Sequence, residues 1–201
     1  MSSALRYAER DLAVVKEVLT LVKGRTAVVQ AGANLGVFPE FLSKEFGAVY
    51  SFEPDPELMW RATARCAGRL NVHFFCAALG RDRGLVRPVR ARRDGDLKRE
   101  AHEGVTHVVP GGSVPTLRVD DLGLEVLDLL YLDLEGYEAL ALVGACETLE
   151  RCHPVVVCEM NGSGKPLGFT DEDIRTHLRV ADYDLLRRIG SDEVFVPRYH
   201  R

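Results

Sequence analysis

The sequence predicts an α/β fold, with a mostly parallel seven-stranded sheet, helices on both faces and an antiparallel hairpin at the end. Three observations predict it. Strand-like apolar segments alternate with segments of helical period from residue 27 to residue 180, as a parallel sheet built from crossovers requires. Leu127–Leu134 is the most apolar strand segment of the chain, as suits a central strand covered on both faces. Two last strand segments, Tyr183–Ile189 and Glu193–Val196, are separated only by Gly190-Ser191-Asp192, which reads as a β-hairpin.

The elements follow in order. In residues 4–22 the apolar positions Leu5, Ala8, Leu12, Val15, Leu19 and Val22 recur at spacings of three and four, giving a helix with one buried stripe. Ala27–Ala31 is a short strand. Phe38, Phe41, Leu42 and Phe46 mark a helix, and Ala48–Phe52 a second strand. Leu58–Ala67 is a helix with Pro56 near its first turn, a favoured place for proline. Val72–Ala77 is a third strand. Residues 81–115 break the rhythm with many Arg, Asp and Gly residues around the apolar stretches 85–89 and 105–109. They read as an inserted basic hairpin or flap with a mobile tip, too short to be a domain. Ala139–Leu149 is a helix, Pro154–Cys158 the fifth strand, and Asp171–Val180 a helix capped by Thr170. One domain over residues 1–201 accommodates all of this.

Composition narrows the class of function. With 201 residues, 46% hydrophobic and 28% charged, the chain can bury a core and is not a disordered sequence. A net charge of −4 gives no global case for nucleic-acid binding. No apolar run reaches the ~18–20 residues of a membrane span. Charged residues interrupt the first 21 positions, so no signal peptide is read and a cytoplasmic protein is expected. The five cysteines include no CxxC pair and suit reduced thiols rather than a zinc site.

In a parallel sheet, ligands bind beyond the carboxyl ends of the strands, where the strand order reverses. The loop after the first strand is Gln30-Ala31-Gly32-Ala33-Asn34-Leu35-Gly36. Gly32 permits a sharp turn and a close ligand, and Gly36 lets the next helix pack tightly on the sheet. Read as GxGxxG from Gly32, the loop would need glycine at positions 34 and 37, where Asn34 and Val37 stand. That disfavours an NAD(P)-dependent oxidoreductase. Glu53 ends the second strand 21 residues after Gly32, the spacing at which an acid accepts hydrogen bonds from ribose hydroxyls. After the third strand, Cys76-Ala77-Ala78-Leu79 supplies small residues, Ala77 and Ala78 among them, to flank an adenine ring.

These segments resemble a known family. Val28–Gly36 resembles the first motif of FkbM-type methyltransferases, and Ser51-Phe52-Glu53-Pro54-Asp55-Pro56 the second. Val114-Pro115-Thr116-Leu117 leading to Asp120-Asp121 resembles a third, Leu127–Glu138 the most specific stretch, and Val155–Glu159 the fifth-strand ending. The resemblance covers roughly residues 26–160. It implies a class I methyltransferase variant of the Rossmann-like fold and an S-adenosylmethionine-dependent transferase, usually acting on oxygen in small molecules, sugars or natural products. The cofactor-binding residues it implies are Gln30, Gly32, Ala33, Asn34, Gly36, Glu53, Pro54, Ala77, Ala78 and Asp133. Two positions depart from the family pattern: Gln30 stands where an acid is usual, and Tyr131 where lysine is common. They leave room for a cofactor-binding protein of this fold without turnover.

Methyl transfer to a hydroxyl needs alignment and a group to take the acceptor proton. Asp133 and Glu135 follow the fourth strand. In an extended chain they share a face with Tyr131. Glu159 ends the fifth strand, with Asn161 beyond it. Asp133, Glu159 and Glu135 are therefore the candidate catalytic residues. The layout also resembles that of catechol-type, metal-dependent O-methyltransferases, and oxygen ligands of this kind suit magnesium. His107, in the insertion, is a further candidate base, while His73 reads as structural and His177 as a surface residue.

Residues 81–100 carry Arg81, Arg83, Arg87, Arg90, Arg92, Arg93, Lys98 and Arg99 against four acids, a net +4. The stretch reads either as a solvated loop or as a flap that grips an anionic acceptor, such as a phosphorylated sugar.

Overall fold

The structure, a computed structural model, describes residues 12–91 and 105–198. The main sheet has seven strands in the spatial order β10-β11-β9-β8-β1-β2-β3. They are β1 (Ala27–Ala31), β2 (Ala48–Phe52), β3 (Val72–Phe75), β8 (Leu129–Leu132), β9 (Val155–Glu159), β10 (Tyr183–Ile189) and β11 (Asp192–Pro197). β1 pairs in parallel with both β2 and β8, and β8 with β9. β11 runs antiparallel to β9 and β10. The expected architecture, hairpin included, is present. The strand order reverses between β1 and β8, so the crevice for a ligand opens where the segments after Ala31 and Leu132 part.

Each sheet face has its own core. Val29, Ala31, Phe52, Leu130, Leu132, Val156 and Cys158 point to one side. There they meet α4 (Glu138–Val143), α5 (Cys146–Cys152) and α6 (Asp171–Val180) through Leu142, Leu149, Ile174 and Leu178. Val28, Val49, Leu129, Tyr131, Val155 and Val157 point to the other, against Val15, Val18 and Leu42. Val15 and Val18 belong to helix α1 (residues 12–19), and Leu42 ends α2 (Val37–Leu42). Each fully buried aliphatic side chain contributes about 1.5–3 kcal/mol, and both faces of β1 and β8 are lined this way. The part of the expected helix before residue 12 lies outside the described residues.

Local chemistry moves several boundaries. The helix expected over 139–149 is two helices. Gly144 breaks it, because its backbone lies so close to Gly80 that a Cβ would sit 2.1 Å from the Gly80 carbonyl oxygen. The Gly144 carbonyl turns to accept from the Asp120 amide at 3.0 Å. The third strand stops at Phe75, where the Ala77 amide donates to the Phe75 carbonyl in a tight turn. β4 (Ala78–Leu79) then leaves the main sheet. α3 (Pro56–Arg65) begins two residues before the expected start, because the Asp55 side chain accepts from the Glu57 and Leu58 amides.

The insertion is more ordered than a simple excursion. β5 (Gly84–Ala91), β6 (Val105–Pro110) and β7 (Val114–Leu117) join β4 in a second sheet of order β4-β7-β5-β6. Its apolar side, Val86, Val108 and Val114, packs on Ala78 and Tyr137, with Leu134 beside them. The sheet thus rests on the turn that follows β8. The expected mobile tip, residues 92–104, lies outside the described residues.

Candidate active site

The loop after β1 is fastened to β2. Gly32 and Ala33 both donate their amides to the Phe52 carbonyl at 3.0 Å, and the Asn34 amide donates to Glu53 Oε2 at 2.9 Å. Three successive N–H groups are thereby used within the protein, and a pyrophosphate finds none of them free. Gly32 has φ +93°, and a Cβ there would lie 2.2 Å from the Asp133 carbonyl oxygen. Its bareness therefore serves the close passage of β1 and β8 ends, not only a ligand. Gly36 corrects the sequence reading. At φ +81° its Cβ would meet the Ala62 Cα at 2.7 Å, so it brings the start of α2 against α3 rather than against the sheet. Asn34 is exposed at φ +46°.

Glu53 is only 3% exposed. Its second oxygen accepts from the Asp55 amide at 2.9 Å, across Pro54. Burial raises its pKa to about 7, against the pull of those two backbone hydrogen bonds. The Asp55 charge raises it further and the Arg90 charge lowers it. Ala77 and Ala78 are buried in the two cores, so their side chains are not open to a ligand. The exposed neighbour is Cys76, whose thiol is pushed up by burial and by the charges of Glu53 and Asp55. Sequence reading took Cys76 into the segment beside the adenine ring and assigned no role to Asp55. The signal for Asp55 was its place before Pro56-Glu57 at a helix start.

Across the crevice, Asp133, Glu135 and Glu159 each place a carboxylate oxygen within 4.8 Å of the others'. They meet for a different reason from the one expected. β8 ends at Leu132, and Glu135 (φ +51°) and Gly136 (φ +109°) form a left-handed turn, so the chain is not extended through Glu135. Glu138 holds that turn, accepting from the Leu134 amide at 2.7 Å and the Gly136 amide at 3.0 Å. It is 3% exposed, and burial lifts its pKa to about 7. Sequence reading quoted Glu138 within a motif but gave it no task. The Asn161 side chain donates to Glu159 at 2.8 Å and to Glu135 at 3.4 Å. Asp133 is raised well above the usual carboxylate range, first by burial and then by the charges of Glu159, Glu135 and Glu138, and it shares a hydrogen bond with Glu159.

The two departures from the family pattern are cross-strand neighbours. Gln30 and Tyr131 are register partners on β1 and β8, so the two departures form one neutral pair. Gln30, 1% exposed, accepts from the Ser51 hydroxyl at 2.7 Å. The Tyr131 ring packs on Phe38 and its hydroxyl donates to Asp192 at 3.1 Å.

The other candidates lie elsewhere. His73 stacks on Tyr50, 5.1 Å between ring centres. His107 sits on β6 opposite Val89. His177, on α6, faces Cys146 at 3.8 Å. Arg90 is not open to an anionic acceptor, because it pairs with Asp55 and Glu57. Arg92, Arg93, Lys98 and Arg99 lie outside the described residues. Among the described residues, no helix is long and apolar enough to cross a membrane.

The loop after β1 offers a pyrophosphate no free amide at Gly32, Ala33 or Asn34. A carboxylate stands at the end of β2, the intervening amides are spent, and acids crowd the end of β8. Comparisons with known proteins agree. The curated relative 2-O-methyltransferase NoeI of Sinorhizobium fredii (strain NBRC 101917 / NGR234) is 26% identical over 174 residues, covering 75% of this chain and 70% of that protein. In fold, the chain is similar to methyltransferase FkbM from Methylobacillus flagellatus KT (TM-score 0.53, 15% identity, 87% of this chain) and spans 45% of that longer chain. It is also similar to a TehB-like SAM-dependent methyltransferase from Corynebacterium glutamicum (TM-score 0.50, 17% identity, 96% of this chain and 95% of the other). The Methyltransferase FkbM domain matches residues 30–185, and the chain belongs to that family of S-adenosylmethionine-dependent methyltransferases.

Proposed function

We propose that this chain methylates a hydroxyl oxygen of a small molecule or glycan. The observation that carries the reading is the trio Asp133, Glu135 and Glu159, whose oxygens lie within 4.8 Å of one another at the ends of β8 and β9. The name of the relative NoeI, a 2-O-methyltransferase, favours oxygen as the receiving atom.

In this reading Glu53 accepts from the cofactor's ribose hydroxyls. Asn34, Pro54 and Cys76, with the backbone at Ala77 and Ala78, border the adenosine. Gln30, Gly32, Ala33 and Asp133 border its methionine end, and Gly36 sets the start of α2. When bound, S-adenosylmethionine supplies a methyl group already activated by its sulfonium, so what remains is alignment and removal of a proton. The Asp133–Glu159 pair does the second task. Asp133, raised by burial, shares a hydrogen bond with Glu159, and a carboxylate oxygen of the pair takes the acceptor's hydroxyl proton. A second reading uses the same trio, with Asn161, as oxygen ligands for magnesium, which would bind the acceptor oxygen and lower its pKa.

Calorimetry against S-adenosylmethionine, S-adenosylhomocysteine and NAD, with a methyl-release assay on hydroxyl and amine acceptors, tests the proposal. Expected are binding of the first two ligands alone and turnover on hydroxyl acceptors. Glu53→Ala should weaken S-adenosylhomocysteine by about 1–3 kcal/mol, the cost of leaving buried polar groups unpaired. Transfer to amines only would overturn the oxygen assignment, and binding without turnover on any acceptor would favour a non-catalytic role. Chelator divides the two readings: loss restored by magnesium supports the metal, and resistance supports the direct base.

A further inference from the structure

Arg90 stands near the end of β5, on the inserted sheet, yet its bonds reach the cofactor side of the crevice. Its guanidinium donates Nη2 to Asp55 Oδ1 at 2.6 Å, Nε to Asp55 Oδ2 at 2.5 Å, and Nη1 to Glu57 Oε2 at 2.9 Å. Asp55 is 5% exposed and also caps α3 through the Glu57 and Leu58 amides. The Asp55 amide in turn donates to Glu53 Oε1. A continuous chain of hydrogen bonds therefore runs from the insertion to the buried carboxylate. A forked, charge-assisted pair is the strongest kind of link available to it. Among the described residues, the other paired arginines of the insertion point elsewhere. Arg83 grips Asp121, and Arg81 its neighbour Asp82.

We propose that Arg90 is a positioning residue for the cofactor, fastening the inserted sheet to the Glu53–Asp55 turn so that ribose recognition depends on the insertion. The proposal rests on the reading of Glu53 as the ribose acceptor. Arg90 acts in two ways. It fixes the Asp55 carboxylate, and with it the amide that orients Glu53. It also supplies the positive charge facing Glu53. The other titratable groups there are Asp55, which opposes ionisation, and the Cys76 thiol beyond β3. Burial pushes Asp55 up, but Arg90 and the amides of α3 outweigh it and keep Asp55 ionised below the usual carboxylate range. Without Arg90, Glu53 and Asp55 face each other with less compensation, and Glu53 should hold its proton to higher pH.

The experiment is calorimetric titration of the whole chain with S-adenosylhomocysteine from pH 6 to 9, using wild type, Arg90→Gln, Arg90→Lys, Arg83→Gln and Glu53→Gln, with melting temperatures for each. Arg90→Gln should bind about five- to tenfold more weakly at pH 7, with the midpoint of its pH dependence moved upward by half a unit or more. Arg90→Lys keeps the charge without the fork, so the midpoint should return while affinity recovers only in part. Arg83→Gln should track wild type. If Glu53→Gln loses affinity while both Arg90 variants match wild type in affinity and midpoint, the latch is wrong and the ribose reading stands. If Glu53→Gln binds like wild type, the ribose reading itself is wrong. A uniform loss in Arg90→Gln with no midpoint shift, accompanied by a lowered melting temperature, reduces Arg90 to a structural tie and overturns the proposal.

Discussion

The two walls of the crevice handle buried charge in opposite ways. On the β1–β2 side Glu53 has each oxygen on a backbone amide, and its acidic neighbour Asp55 is paired with the Arg90 guanidinium. On the β8–β9 side three carboxylates crowd together, and the amides of their own turn go to a fourth, Glu138. The first wall is completed by the protein. The second brings like charges together, which holds Asp133 well above the usual carboxylate range, and a proton or a cation relieves such a cluster. A binding wall gains from being finished before the ligand arrives. A wall that must accept a proton gains from acids held close together.

The sharpest way to break this contrast is Asp133→Asn. It keeps the shape and removes the most perturbed charge of the trio. If the β8–β9 wall accepts the acceptor's proton or holds a metal, turnover should fall by roughly 10²–10⁴-fold, while S-adenosylhomocysteine affinity changes little. A fall in affinity alone would make Asp133 part of the binding wall, with Glu159 next in line as the base. A fully active variant would sink the assignment.

The pH dependence of stability sharpens the contrast further. Glu53 and Glu138 are raised from 4.5 to about 7, and Asp133 is raised well above 3.8, in each case first by burial. The folded state therefore binds more protons than the unfolded state between about pH 4.5 and 7. Stability of the cofactor-free protein should fall as pH rises through that interval and level off above it. Glu53 and Glu138 each contribute at most about 3 kcal/mol to the fall. Asp121, held low first by its bond to Arg83, acts in the opposite sense at more acidic pH. Denaturant midpoints from pH 4.5 to 8 measure the sum. Glu53→Gln should remove the share of the first wall and Glu138→Gln part of the second. A stability that rises across the interval would mean that these groups are paired in solution better than their burial suggests.

Gly36→Ala probes how rigidly the first wall is built. The new methyl group would meet the α3 backbone at Ala62, at 2.7 Å and at φ +81°, where neither partner is a flexible side chain. We expect a stability loss of about 2–4 kcal/mol from left-handed strain and overpacking, read from thermal unfolding. Loss of cofactor binding without loss of stability would mean that α2 carries ligand contacts.

The frame of both walls was legible in the sequence because it depends on periodicity and on local turn chemistry. The alternation of segments announced the sheet, the Gly32–Gly36 loop announced the first wall, and Asp133, Glu135 and Glu159 announced the second. What escaped depends on contacts between distant segments. The break at Gly144 exists because Gly80 passes it, the second sheet because β4 pairs with β7, and the tie of Arg90 to Asp55 because the insertion folds back over α3. The Arg-rich stretch was read by its net charge, which could not show that Arg90 and Arg83 had already found carboxylates within the chain.

Tyr131→Phe is the mildest test and bears on where the second wall ends. The Tyr131 hydroxyl donates to Asp192, the β11 register partner of Glu159. That bond holds the Asp192 carboxylate, on the strand next to Glu159. Phenylalanine keeps the packing on Phe38 and the neutral pairing with Gln30, so the fold should lose only about 1 kcal/mol, the net worth of one hydrogen bond. Asp192 would lose one donor, and the change would reach Glu159 through the β9–β11 pairing. Plateau turnover should stay within about twofold of wild type, the effect of a residue that supports the wall without touching the reacting atoms. A plateau lowered more than about tenfold would be too large for a screened neighbour. It would place Tyr131 within the reacting wall, so that the neutral pair at positions 30 and 131 took part in the chemistry and did not merely support it.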